Sequence, residues 1–403
     1  MGAWPEWNER PMKYPLATTT WSDDEISVSN KLMVAGTLTM GNEVKTFEEQ
    51  FAKYIGTKYA VMFNSGSSAN LALLVSMRYF KGTKISAGDR VIVPTVSWST
   101  TYYPVNQAGF ILDFVDIDPI TLNINVEAIE KAITPTTKAI FAVNLLGNPC
   151  DMERLSELCE KYDLYLIEDN CESLGASLNG QMTGSFGLAG THSFFFSHHI
   201  CTMEGGMVTT NSLELAETLI SIRAHGWTRG LGEENSVHPK SNNDWDDLFR
   251  FVLPGYNLRP LEISGAIGQI QLRKFPEFLK WRRINAAHFS SLFNDSGSYQ
   301  IQAENGDSSW FGFSLILKGK LAGKRGEVIA LLTENGVDSR PIVAGNFTIN
   351  PVMKHLEYGP LPSTRAADEI HQNGFFIGNH HSDHREVITE IHELLLRYEA
   401  SVH

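Results

Sequence analysis

The stretch AIFAVNLLGNPCDMERLSELCEKYDLYLIED, from Ala139 to Asp169, reads as strand, helix, strand. Ala139–Asn144 and Tyr165–Glu168 are short apolar runs. Between them, Asp151–Tyr162 places Met152, Leu155, Leu158 and Cys159 on one helical face. Two apolar strands joined through a helix belong to a parallel sheet covered on both faces. Outward from this unit the pattern repeats. Toward the N-terminus lie candidate strands Tyr59–Phe63, Arg90–Pro94 and Ile111–Asp116, with a helix over Ser67–Tyr79. Toward the C-terminus come strands Thr191–Phe195 and Met207–Thr209, then a helix over Leu213–Ala224. The reading is α/β, with a large, mainly parallel sheet.

Beyond it, Gly230–Asp247 is polar and reads as an exposed loop, and Pro260–Asn294 has helical spacing that leads out of the first domain. Trp310–Leu317 reads as a strand, Arg325–Asn335 as a helix and Glu386–Ser401 as a terminal amphipathic helix. The expected organisation is an N-terminal arm (1–30), a large domain (31–284) and a smaller C-terminal α+β domain (285–403).

Of the 403 residues, 42% are hydrophobic and 20% charged, which excludes a disordered or collagen-like chain and supplies a large core. The net charge of −13 and the lack of a basic run argue against nucleic acid and anionic lipid as partners. No run approaches the roughly 20 apolar residues of a membrane span. The opening MGAWPEWNERPMKYP has neither signal-peptide nor targeting-helix character. Cysteines at 150, 159, 171 and 201 are too sparse for a disulfide framework or an iron–sulfur cluster. A cytoplasmic protein with reduced thiols is expected.

Three spots carry chemistry. Asn64-Ser65-Gly66-Ser67-Ser68-Ala69-Asn70 lies between a strand and a helix, where free amides and the helix dipole could bind an anion, or where the turn could simply cap the helix. Glu168-Asp169-Asn170-Cys171-Glu172 ends an apolar strand, where α/β sheets bind ligands. A carboxylate there could hold a protonated pyridine nitrogen or a metal, or cap the next segment. The third, Ser193-Phe194-Phe195-Phe196-Ser197-His198-His199, is followed by Glu204-Gly205-Gly206. Adjacent His198 and His199 point apart, which disfavours a metal pair; His380-His381-x-x-His384 is the better metal candidate but lies in a polar run, and no metal is expected.

The order of Gly-Ser turn, strand-end Asp and Ser-Phe run before Glu-Gly-Gly resembles fold-type-I, aspartate-aminotransferase-like, pyridoxal-phosphate (PLP) enzymes. More narrowly, it resembles the sugar-nucleotide aminotransferases and dehydratases. In that family the residue five after the Ser is the lysine that holds the cofactor. Here it is His198, and no Lys occurs between Lys161 and Lys240. The segments YPLATTTW, PTVSWSTTYYP, NLLGNP, EDNCESLGA, SHHICTMEGG, RAHGWTR, VLPGYNLRPLE and SRPIVAGNF, between Tyr14 and about His380, resemble the lysine-less keto-sugar 3-dehydratases.

The resemblance implies PLP and its amine form PMP held without a covalent bond. Gly66, Ser67 and Ser193 would hold the phosphate, Asp169 the pyridine nitrogen, and Trp98 would stack on the ring. Glu172 would sit near the ring hydroxyl, and Asn257 would reach the phosphate of a partner subunit in a homodimer with shared sites. His225 and Arg340 are candidates for substrate contact; the first could equally cap a helix and the second lie on the surface. His198, an imidazole suited to proton transfer near neutral pH, would be the catalytic base. The implied reaction removes the C3 hydroxyl of a GDP-linked 4-keto-6-deoxy sugar, releases ammonia, and uses L-glutamate to restore PMP. CDP- or dTDP-linked sugars are alternatives, as is an inactive binding protein that kept the fold and lost the lysine.

Overall fold

The computed structural model describes residues 14–241 and 243–402. Most of the expected N-terminal arm's first half, residues 1–13, lies outside these.

The chain begins with helices α1 (Asp23–Ala35) and α2 (Asn42–Ile55), which composition alone left unassigned. A capping box starts α1: Ser22 caps the helix and Glu25 returns a bond to the Ser22 amide. Val44, Phe47, Phe51 and Ile55 give α2 a buried stripe, and Gly56 ends it in the left-handed conformation.

The large sheet follows, as β1 (Tyr59–Phe63), α3 (Gly66–Ser76), β2 (Arg90–Pro94), α4 (Ser99–Gln107), β3 (Ile111–Val115), α5 (Val126–Ala132), β4 (Thr137–Val143), α6 (Met152–Tyr162) and β5 (Tyr165–Asp169). After a small hairpin, β6 (Ser177–Leu178) and β7 (Gln181–Met182), come β8 (Ala189–Ser193), β9 (Gly206–Thr210) and α7 (Leu213–Arg223). The strand order is β1-β9-β8-β5-β4-β2-β3. Strands β8, β5, β4, β2 and β3 pair in parallel, while β9 is antiparallel to both neighbours. The mainly parallel sheet therefore carries one reversed strand, because a short turn and no crossover helix joins β8 to β9.

Two boundaries bear on the site. Strand β8 ends at Ser193, two residues before the expected Phe195, so Phe194–Phe196 belong to the turn. Strand β5 runs one residue further than expected and so carries Asp169 itself. The polar loop is not loop throughout: it closes on a helical turn, α8 (Asp244–Asp247), whose Asp247 is buried.

Helix α9 (Glu262–Phe293) packs on α1 and α2 and continues to the second sheet, so the expected boundary at residue 285 falls inside one helix. The remaining elements are β10 (Tyr299–Gln300), β11 (Gly312–Leu317), α10 (Arg325–Glu334), β12 (Ser339–Arg340), α11 (Arg365–Asn373), β13 (Gly374–Gly378) and α12 (Arg385–Ser401). Their antiparallel sheet, β10-β11-β13-β12, has its own core, in which Phe289 of α9 stacks on Phe313 at 4.4 Å. The strand expected from Trp310 starts instead at Gly312, because Trp310 turns the backbone with a φ of 48°. The four cysteines are free thiols.

Candidate active site

The candidate residues gather beyond the carboxyl ends of β4, β5 and β8, where open α/β sheets leave a crevice. Ser65 caps α3 and accepts a bond from the Ser68 amide at 3.1 Å. The amides of Gly66 and Ser67, first in the helix, have no intrahelical acceptor and are free to bind an anion. A Cβ on Gly66 would lie 2.5 Å from the Ser193 Cβ and 2.9 Å from its Oγ, so only glycine lets the strand end approach the helix start. The Ser193 hydroxyl makes no hydrogen bond among the described residues. Three expected phosphate ligands thus converge.

Asp169 is buried at the same end of the sheet. Its Oδ2 accepts from Asn70 Nδ2 at 3.0 Å and Thr101 Oγ1 at 2.8 Å, while Oδ1 takes only the Cys171 amide at 3.2 Å. A carboxylate fixed on one oxygen, with acceptor capacity left on the other, suits a protonated ring nitrogen. Ser97 bonds Thr101 at 2.7 Å, which ties the turn before α4 to the carboxylate. That turn presents Trp98, 58% exposed, an indole face without an aromatic partner among the described residues. Glu172 accepts from the Leu146 amide at 3.0 Å. Burial and the nearby Asp169 carboxylate push its carboxyl up to about 7.

His198 sits in the turn after β8, its amide bonded to the Phe195 carbonyl at 2.9 Å. The ring meets Phe195 and, at 5.3 Å, Phe311 edge-on. Its Nδ1 is enclosed without a partner, which leaves Nε2 to work. Burial and the Arg282 guanidinium lower its pKa to about 4, below the near-neutral value expected. The ring is therefore unprotonated at neutral pH, as a base must be. Phe311 is held by its amide on the Leu146 carbonyl at 2.9 Å, and Gly147 (φ 92°) gives Trp310 room. Leu146 thereby joins Glu172 to the wall beside His198.

The other expected residues lie outside this cluster. Ala224 bridges Asn257, and the His225 amide donates to the Tyr256 carbonyl at 2.7 Å. Asn257 is exposed and accepts from Arg259 Nε at 3.0 Å. The Asn64 amide bonds the Leu258 carbonyl, which sets this segment beside the phosphate turn. Arg340 is not joined to the crevice: it pairs with Asp338 and the Ser339 carbonyl on the edge strand of the small sheet. His380 and His384 stack at 4.5 Å with Tyr14 against both, and no group among the described residues could hold a metal. Thr101 and Phe311 escaped the sequence reading, and Asn70 stood in it only as the end of the Gly-Ser turn, without a role. Asn70, one helical turn after Gly66, carried the only local signal.

These residues fit a flat phosphorylated pyridine: a crowded glycine at a helix start, a buried carboxylate with spare capacity and an open indole face. The profile of the DegT/DnrJ/EryC1/StrS aminotransferase family matches residues 20–395. GDP-4-keto-6-deoxy-D-mannose 3-dehydratase of Yersinia pseudotuberculosis is 48% identical over 386 residues, 95% of this chain and 98% of that protein. Two solved structures of GDP-4-keto-6-deoxymannose-3-dehydratase are 46% identical, cover 95% of this chain and 100% of theirs, and superpose with a TM-score of 0.93. One is a His-to-Asn mutant with bound GDP-perosamine, the other holds a trapped PLP-glutamate geminal diamine.

Proposed function

We infer, because this chain belongs to the DegT/DnrJ/EryC1/StrS aminotransferase family, that it is a PLP-dependent dehydratase removing the C3 hydroxyl of GDP-4-keto-6-deoxy-D-mannose. The product is the 4-keto-3,6-dideoxy sugar, formed with ammonia, and L-glutamate restores the amine form of the cofactor. The step belongs to deoxysugar and lipopolysaccharide biosynthesis. The observation that carries this reading is His198, at the position of the family's cofactor-binding lysine, beside phosphate and pyridine ligands that are otherwise retained.

Bound PLP, in its amine form, supplies a nitrogen for the C4 ketone and a ring that accepts an electron pair. The chain supplies the rest. Gly66, Ser67 and Ser193 bind the phosphate, Asp169 keeps the ring nitrogen protonated, Trp98 covers the ring and Glu172 meets its hydroxyl. His198 Nε2 would take a proton from the carbon next to the cofactor ring and return it to the C3 oxygen, so that the hydroxyl leaves as water. Asn257, on its exposed segment beside the phosphate turn, reaches the phosphate of a second subunit. The exposed apolar positions Ile26, Met33 and Val34 of α1 support a homodimer. His225 contacts substrate. Arg340 does so only by leaving Asp338. A cytoplasmic enzyme agrees with the absence, among the described residues, of a helix long and apolar enough to cross a membrane.

The test supplies PLP, L-glutamate and, in turn, GDP-, CDP- and dTDP-linked 4-keto-6-deoxyhexoses. Ammonia and a sugar poorer by one oxygen are expected from the GDP substrate. Borohydride should leave PLP unattached, and imine trapping on any lysine of the chain would contradict the reading.

A further inference from the structure

The turn from Phe194 to Gly205 carries His198, and its internal bonds are few. The amides of Phe194 and His198 donate to the Gly205 and Phe195 carbonyls at 2.9 Å each, the Thr202 amide to the Phe194 carbonyl at 3.0 Å, the Met203 amide to Cys201 Sγ at 3.4 Å, and Thr202 Oγ1 to the Glu204 carbonyl at 2.9 Å. Cys201, three residues past His198, takes neither backbone partner from the turn. Its amide donates to Gln271 Oε1 of α9 at 3.1 Å, and its carbonyl accepts from Trp21 Nε1 at 3.0 Å.

Gln271 is fully buried and saturated. Its Oε1 also accepts from Thr20 Oγ1 at 2.6 Å, and its Nε2 donates to the Thr20 carbonyl at 3.1 Å and Glu25 Oε1 at 2.7 Å. A flipped amide would set N–H against the Cys201 N–H, so the orientation is fixed. Lys274, one turn along α9, holds Glu25 Oε1 and Oε2 at 2.9 Å each and Ser22 Oγ at 2.6 Å. One amide therefore joins the segment before α1, α1 itself and α9 to the turn that bears the imidazole.

We propose that Gln271 is a positioning residue for His198, with Trp21 as its second pin, so that the Thr20–Glu25 segment straps the base into place. This rests on His198 acting as the base. Hydrophobic packing alone would not need both polar groups of Cys201 satisfied by side chains from distant segments. Misplacing a reacting group by about 1 Å can cost roughly 100-fold in rate, so a modest slackening of the turn would register in turnover.

The experiment uses PLP-loaded Gln271→Leu and Trp21→Phe proteins. Hydrogen exchange over residues 198–204, iodoacetamide labelling of Cys201 against buried Cys150, cofactor affinity and steady-state constants are measured. Exchange in the turn should quicken by about fivefold or more, the weight of one hydrogen bond. Cys201 should label faster while Cys150 does not, and kcat should fall roughly 10- to 100-fold in Gln271→Leu with KM and cofactor affinity held. If Gln271→Leu fails to fold, Trp21→Phe decides by the same measurements, with a smaller fall. Equal quickening at Cys150 would show general loosening and overturn the proposal, as would wild-type kcat with a loosened turn. His198→Asn runs in parallel. Wild-type turnover there removes the base assignment, whereas its loss beside unchanged kcat in both strap variants overturns the positioning alone.

Discussion

At the scale of single residues, the site turns on which groups keep a charge and which lose it. His198 has an aromatic wall and a buried guanidinium for neighbours, so it stays a neutral base. His198→Asn should lower dehydration turnover by roughly 10²- to 10⁴-fold, the usual worth of a general base, while an absorbance titration still shows PLP binding. Asp169 is fixed by Asn70 and Thr101, so Asp169→Ala takes a shared acceptor from both and empties the pyridine site, while Asn70 keeps the Thr100 carbonyl and Thr101 the Ser97 hydroxyl. About 1–3 kcal/mol of stability in all should be lost, read by denaturant unfolding, together with cofactor affinity. His198 was legible in the sequence because a lysine is missing from a familiar order of motifs. Thr101 was not, because its bond to Asp169 spans 68 positions and its local setting is an ordinary first turn of a helix.

At the scale of elements, the phosphate site exists because α3 starts where β8 ends. Gly66→Ala would drive a methyl into Ser193, and overpacking of this kind costs about 1–3 kcal/mol. The double change Gly66→Ala, Ser193→Gly removes the opposing Cβ. It should recover most of the melting temperature yet not the cofactor affinity, since the hydroxyl is gone. Recovery of both would mean that Ser193 does not bind the phosphate. Strand and helix identities here followed from apolar runs and caps, and β2 matches its expected limits, Arg90–Pro94. The last residues expected of β8 and the first of β11 did not, because Phe194 and Phe195 bond within their own turn and the Trp310 carbonyl is taken by Arg282 and Asn379.

At the scale of the whole molecule, burial sets the response to acid. His192, His198, His199, His380 and His381 all have pKa values lowered by burial, four of them to about 3 or 4 and that of His199 well below its usual value. Below about 6.5 the unfolded chain binds protons at these five that the folded chain refuses, so their stability contribution falls as pH falls. Glu168 and Glu172, raised to about 7 by burial, act in the opposite sense between about 4.5 and 7. Five outweigh two. The melting temperature of the cofactor-free protein should drop steadily from pH 7 to pH 5, and a flat or rising curve would contradict this balance. The sequence by itself determined the alternation of strands and helices, the Gly-Ser turn, the strand-end carboxylate and the histidine in place of lysine, since each is a property of a few consecutive residues. Only the tertiary structure decided the reversal of β9, the pairing of Arg340 away from the crevice, and the partners of Asp169, His198 and Cys201. Those contacts join residues far apart in the chain, and their geometry is fixed by how whole helices and sheets pack.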